Sequence, residues 1–216
     1  MHTRRRFLLT ASASLLAPQS SWALPHRWLF DVKRNGSLIG EHQIITTGTD
    51  EKFQAHTHIE FRVGFGPVTF YRYDHDIKEI WNKGRLQQLI ASTNRNGRKT
   101  DLNFTLEDNN FKGTVNGQTT TRPYILPTAY WNMALPGSQQ VLETQDGKVF
   151  QVNWTKRPAS IVHQGAVEAA TIWTSTGDLK ITLTTTPTYG WSGMSFLFKD
   201  AEFVYEPRQL GRYFAL

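Results

Sequence analysis

The amino-acid sequence predicts an all-β fold: a curved antiparallel sheet of about a dozen strands with one short helix. Three observations carry that reading. Two-residue turn pairs recur along the chain, the runs between them are rich in Val, Ile, Thr, Tyr, Phe and Trp, and helical periodicity is scarce. With 216 residues, 39% of them hydrophobic, the chain has material for one sizeable core.

The turn pairs are Asn35-Gly36, Asn96-Gly97, Asn116-Gly117 and Asp146-Gly147. Both members of such a pair tolerate the positive φ of a type I′ hairpin turn. The strand runs expected between and after them are 27–34, 38–47, 53–63, 68–81, 85–93, 101–107, 149–154, 168–174, 179–186 and 201–206. If Asn96-Gly97 form a two-residue loop, Leu89 falls opposite Phe104 and Ala91 opposite Leu102, so apolar residues share one face.

A second hairpin is expected around Gly64-Phe65-Gly66-Pro67, in a register that sets Phe61 opposite Tyr71, Ile59 opposite Tyr73 and Ala55 opposite Ile77. Its other face would then bring Glu60 to Arg72, His58 to Asp74 and His56 to Asp76. The helix candidate is Thr128 to Ala134, with Thr128 as N-cap and Pro136-Gly137 beyond its end.

Residues 1–23 read as an export signal and 24–216 as a single β-rich domain. Met1 to Arg6 carries three arginines, an apolar run extends from Phe7 to Ala17, and Ser21-Trp22-Ala23 places small residues where a signal peptidase reads them. Arg4 and Arg5 followed by Phe7-Leu8 resemble the twin-arginine signal, which implies passage through the folded-protein exporter, cleavage after Ala23 and a periplasmic location. The alternative is a Sec signal rich in arginine. Removing Arg4, Arg5 and Arg6 from the 24 basic residues leaves 21 against 18 acidic ones, near +3, with no basic stripe to suggest a nucleic-acid partner. No segment after the signal is long and apolar enough for a spanning helix, so no stable membrane insertion is expected. The chain has no cysteine, which suits an oxidising compartment.

Candidate chemistry is sparse. His56 and His58 alternate on one strand and so share a side, with Asp74 and Asp76 on the next strand; the four could hold a zinc ion or form a solvated ladder of opposite charges. Nucleophile elbows and phosphate-binding glycine loops are missing from the sequence, and neither His163 with Ser160 nor Glu79 near Arg85 has a spacing that catalysis requires. No catalytic residue and no cofactor are therefore expected. The aromatic residues invite a different use: Tyr73 and Trp81 on strands and Tyr130 and Trp131 on the helix would line and gate an apolar groove on the concave face.

The stretch Glu79-Ile80-Trp81-Asn82-Lys83-Gly84-Arg85-Leu86, with Leu89 and Thr93-Asn94-Arg95-Asn96-Gly97, resembles a bacterial family of small exported proteins, domain-of-unknown-function family 6134. Pro127-Thr128-Ala129-Tyr130-Trp131-Asn132, Leu142 to Gly147 and the pair Val167 to Trp173 with Gly177 to Leu179 are similar to the same family. That resemblance implies no activity and transfers no functional residue. It does suggest, by analogy of strand pattern, the strongly bent half-barrel of periplasmic lipid and lipoprotein carriers. Within the motif, Asn82-Lys83-Gly84 should make a tight turn with Trp81 and Leu86 beneath it and Glu79 paired with Arg85 across its mouth.

Three functions follow as expectations. The first is an exported, non-catalytic carrier or chaperone for a lipid or other hydrophobic ligand; the second is a metal-dependent hydrolase on the His-x-His strand; the third is a scaffold that binds a protein partner. An outer-membrane barrel, suggested by strand number and Tyr213-Phe214, fits poorly with a folded-protein export signal.

Overall fold

The computed structural model describes residues 23–65 and 68–212. The signal residues Arg4, Arg5 and Phe7 lie outside the described residues, and Ala23 is the first residue of the first strand.

The strands are β1 (Ala23–Arg34), β2 (Ser37–Gly48), β3 (Lys52–Phe65), β4 (Val68–Asn82), β5 (Arg85–Arg95), β6 (Arg98–Glu107), β7 (Asn110–Val115) and β8 (Gln118–Pro123). After a crossover come β9 (Gln140–Leu142), β10 (Val149–His163), β11 (Ala166–Gly177), β12 (Thr182–Thr186), β13 (Gly190–Phe198) and β14 (Ala201–Gln209). All belong to one antiparallel sheet in the order β8-β7-β6-β5-β4-β3-β2-β1-β14-β13-β12-β11-β10-β9. Two meanders thus meet where β1 pairs with β14, and β8 and β9 remain as unpaired ends of a sheet that does not close.

The expected hairpin chemistry holds at Asn35-Gly36, Asn96-Gly97 and Asn116-Gly117, where both residues have positive φ. Lys83-Gly84 does the same, with Trp81 and Leu86 fully buried beneath the turn. Leu89 pairs with Phe104 and Ala91 with Leu102 as the sequence predicts. Asp146-Gly147 differs: it sits in a longer loop closed by Glu143 N to Lys148 O (2.8 Å) and Gly147 N to Glu143 O (2.9 Å).

The β3–β4 register is two residues from the expected one. Phe61 pairs with Tyr73, Ile59 with His75 and Ala55 with Glu79, because the hairpin tightens to Phe65 opposite Val68 and a bulge follows at Val63/Gly64. A slip of two leaves every side chain on its expected face but changes its partners. His58 now faces Asp76, Glu60 faces Asp74 and His56 faces Lys78.

The short helix expected at Thr128 to Ala134 is replaced by turns and a single 3-10 turn at Leu135–Gly137. Its segment, residues 124–139, crosses from β8 to β9 over the concave face and buries Ile125, Ala129, Trp131 and Leu135 there. Each large apolar side chain buried in this way contributes about 1.5–3 kcal/mol. With β9 and the loop to Lys148 it also bridges the open edges: Thr128 N bonds Leu142 O (2.9 Å), Tyr124 packs on Phe111, and a β-carbon on Gly147 would lie 3.0 Å from Val115 Cγ2. The interior is one continuous apolar cluster shared by sheet and crossover.

Candidate functional site: the plugged concave face

Strand alternation fixes which side chains face the crossover. On β4, Tyr73, His75, Ile77, Glu79 and Trp81 point inward, and on β2 His42, Ile44 and Thr46 do so. Register then builds rows across the sheet. One runs Thr46, Ala55, Glu79, Leu89, Phe104, and a parallel one runs Phe30, His42, Ile59, His75, Thr93, Thr100.

The first row holds the crossover. Phe53 lies parallel to Trp81 at 6.0 Å between ring centroids, and Trp131 inserts edge-on against both, 5.6 Å from Phe53 and 5.5 Å from Trp81. Glu79 sits under this aromatic cluster. Its Oε2 accepts the indole N–H of Trp131 (3.1 Å) and, more loosely, that of Trp81 (3.4 Å), while Oε1 has no partner among the described residues. Burial raises the Glu79 pKa from 4.5 to about 7, the two indole donors opposing the shift. Sequence reasoning placed Glu79 opposite Arg85, but alternation with Ile77 and Trp81 turns it inward. Arg85 bonds Asn109 Oδ1 (2.6 Å) and lies over the Tyr124 ring instead.

The second row carries a chain of hydroxyls and imidazole. Thr128 Oγ1 lies 3.2 Å from Thr144 Oγ1, Thr144 Oγ1 lies 3.0 Å from His75 Nε2, His75 Nδ1 lies 2.9 Å from Thr93 Oγ1, and Thr93 donates to Gln145 O (3.3 Å). One assignment of hydrogens satisfies them all: Thr128 donates to Thr144, Thr144 to His75 Nε2, His75 Nδ1–H to Thr93, and Thr93 to the carbonyl. It requires a neutral imidazole, and burial lowers the His75 pKa to about 4. The chain therefore fastens the crossover to the sheet without a charge.

His42 occupies the other end of that row in an aromatic cage of Phe30, Trp191, Tyr205 and Tyr130, with centroids 4.9 Å from Trp191 and 5.7 Å from Tyr205. Neither ring nitrogen has a partner among the described residues, and burial drives its pKa down to about 3. Thr46 Oγ1 is likewise buried and unpartnered. Glu143, accepting from Gln145 N (3.0 Å), is pushed up to about 7 by burial; burial also raises the Tyr130 hydroxyl above its ordinary range, and the charge of Glu143 adds to that shift.

The four aromatic residues expected to form the groove thus share this face but sit in separate clusters along it. Tyr73 is buried against Phe61 at 5.2 Å, Trp81 and Trp131 pack on one another, and Tyr130 is half-buried beside Trp191 and His42. The face they bound is filled by the crossover.

His56, His58, Asp74 and Asp76 lie on the opposite, outer face. His56 Nε2 contacts Asp76 Oδ2 at 2.6 Å and His58 Nδ1 reaches the same oxygen at 3.6 Å; the described residues contain no group of three or more such side chains able to hold a metal ion. The His163 ring packs on Tyr189 at 5.2 Å.

Sequence reasoning missed His42, His75 and Glu143. The signal for the first two was period-two spacing: His42 follows Gly40 and precedes Ile44, and His75 stands between Tyr73 and Ile77.

A crystal structure described as a beta-barrel-like protein of domain of unknown function DUF1849 from Brucella abortus is similar to this fold. The TM-score is 0.63 at 12% identity, over 88% of this chain and 98% of that one. No curated protein matches the sequence. The family described as domain of unknown function DUF6134 matches residues 30–208, the whole sheet but for the outer parts of its first and last strands, and the chain belongs to that family.

Proposed function

We propose that this is an exported periplasmic binding protein, non-catalytic, that holds a lipid or other hydrophobic ligand on its concave face, in the place the crossover now occupies. The observation that carries this reading is Trp131: a large aromatic side chain, supplied by a segment with no strand or helix of its own at that point, fills an aromatic slot made by Phe53 and Trp81. Tyr73 and Trp81 would line the space once the segment lifts, and Tyr130 and Trp131, carried on the segment itself, would gate it.

The exchange is energetically reasonable. The large apolar side chains that 124–142 buries are Ile125, Trp131, Leu135, Val141 and Leu142. At about 1.5–3 kcal/mol each they are worth about 8–15 kcal/mol. An acyl chain of about sixteen carbons, at about 0.8 kcal/mol per CH₂, recovers roughly 12 kcal/mol on entering the same space. The His42 ring nitrogens, Thr46 Oγ1 and Glu79 Oε1, which have no hydrogen-bond partner among the described residues, offer polar atoms that a ligand hydroxyl or carried water could satisfy.

Native mass spectrometry of protein purified from its own periplasm without detergent, with solvent extraction of the same sample, tests the reading. A bound lipid-sized mass supports it. An apo mass that persists after incubation with lipid extract removes it. For the export route, replacing Arg4 and Arg5 by Lys should leave the precursor uncleaved in the cytoplasm, and normal export of that variant would refute twin-arginine transport.

A further inference from the structure

Successive turns of a meander fall at alternate ends of its sheet, so the tips of β1–β2, β3–β4, β5–β6 and β13–β14 share one rim. Backbone bonds fasten neighbouring tips together: Asn35 N to Glu202 O and Asn96 N to Arg72 O, both 2.9 Å. This rim is unlike the rest of the surface. Leu38, Phe70, Leu197 and Phe198 stand there 64%, 66%, 73% and 56% exposed. Of the other exposed large apolar residues, Ile80 and Ile90 lie on the outer face, and Val162 pairs with Val167 at a tip on the opposite end.

The same rim is basic. Arg34, Arg72, Arg98, Lys99 and Lys199 form no ion pair among the described residues, and they outnumber the acidic residues near these tips, Asp101, Asp200 and Glu202. Lys199 holds its ammonium 5.6 Å from the Phe198 ring centre, which keeps charge and apolar surface side by side. Beside them opens a polar cleft of about 360 Å³ whose walls include Tyr71, Arg95, Arg98 and Thr100, together with Asp146, whose carboxylate is paired with Lys148 at 2.7 Å. At the opposite end the tips at 48–52, 82–85 and 107–110 set Asp50, Glu51, Glu107 and Asp108 against Lys52, Lys83 and Arg85.

We propose that this rim is a peripheral docking surface for an anionic lipid bilayer. Leu38, Phe70, Leu197 and Phe198 enter the headgroup–acyl boundary, and the arginines and lysines meet lipid phosphates, with the cleft able to take one headgroup. The combination is that of interfacial membrane binders, in which apolar insertion and attraction to anionic headgroups add. A second copy of the chain would bring one basic rim against another, a repulsive arrangement. Nucleic acid would satisfy the charge but offers nothing for exposed leucines to bury against. Exposure and charge at this end of the sheet suffice for docking whether or not the concave face holds a ligand.

Flotation with vesicles tests it. The full mature protein should float with phosphatidylglycerol-rich vesicles and bind pure phosphatidylcholine at least about tenfold more weakly, with the difference reduced at 0.5 M salt. Phe70→Ser combined with Phe198→Ser should lower partitioning onto the anionic vesicles at least about tenfold, with circular dichroism and melting temperature unchanged, because both positions are exposed. Arg98→Glu with Lys99→Glu should abolish the preference for anionic lipid. Failure to float with either vesicle overturns the proposal, as does binding that neither double variant alters. So does a dimer in sedimentation that the Phe70 and Phe198 substitutions dissolve.

Discussion

Trp131 donates its indole N–H to Glu79 Oε2 across 3.1 Å, joining the crossover to the inner face of β4 at a carboxyl group fully withdrawn from water. That bond ties the plug to the sheet. Truncating Trp131 to Ala removes it and empties the slot beside Phe53 and Trp81, at an expected cost of about 3–5 kcal/mol in stability. The variant should also bind a hydrophobic dye more strongly than the parent under conditions where both remain folded. Urea denaturation and dye titration check the two parts.

Glu79 carries the clearest pH signature. Its folded pKa of about 7 lies above its ordinary 4.5, so between those values the folded state holds a proton that the unfolded chain has released. Its contribution is therefore complete below about pH 4.5 and is lost as pH rises through 7. Glu79→Gln removes this dependence and should be the more stable protein at pH 8, by at most about 3 kcal/mol. Melting both proteins from pH 5 to pH 9 measures it, and parallel curves would contradict a neutral buried Glu79.

His42 works in the opposite direction. Its folded pKa of about 3 lies below its ordinary 6.5, so as pH falls below 6.5 the unfolded chain gains a proton that the cage of Phe30, Trp191 and Tyr205 refuses. Stability from this residue is intact above pH 6.5 and declines toward pH 3. His42→Phe keeps the aromatic packing and should exceed the parent at pH 5 by about 2 kcal/mol, with a smaller difference at pH 8. Equal acid sensitivity of the two proteins would show that His42 is solvated.

Gly40 packs where β2 crosses close to β3. A β-carbon there would sit 1.8 Å from Glu60 O, and backbone cannot move aside as a flexible side chain would. Gly40→Ala should cost at least about 3 kcal/mol or shift the β2–β3 register, as chemical denaturation and amide exchange in β2 would report. An Ala variant of ordinary stability would contradict this close approach.

The sheet was readable because its turn chemistry and alternation agree. Asn96-Gly97 announced a two-residue loop, and Leu89, Ala91, Leu102 and Phe104 shared a face once that loop was assumed. The β3–β4 partners were misjudged because Gly64 to Pro67 can make either a four-residue or a two-residue connection, and both keep the apolar face inward. β7, β8 and β9 were missed because they are short and near the sheet ends, where one side of the strand meets solvent and alternation weakens. β13 was missed because Gly190 to Met194 are buried one after another, with no alternation to mark a strand. The crossover was misread as helix because Thr128, Pro136 and Gly137 are helix-boundary residues, whereas burial of Trp131 and Leu135 in the sheet decides its course.

The site was half legible. Tyr73, Trp81, Tyr130 and Trp131 do share the inner face, though Tyr73 and Trp81 stand toward opposite ends of β4. Glu79 was assigned to a turn because it stands near Arg85 in sequence, although its spacing from Ile77 and Trp81 turns it inward. Glu143 and Thr144 meet β4 and β5 only through tertiary packing, which no local pattern records.

A carrier of this design needs a crossover that can leave a folded sheet, and hydrogen–deuterium exchange addresses that most directly. The mature protein is compared before and after incubation with a lipid extract freed of detergent. Amides of 124–148 should exchange faster than those of β3, β4 and β5 in the free protein and faster still with lipid, while the strands keep their protection. If 124–148 exchanges only as slowly as the core strands, with or without lipid, the crossover opens only when the whole protein unfolds and the carrier reading fails.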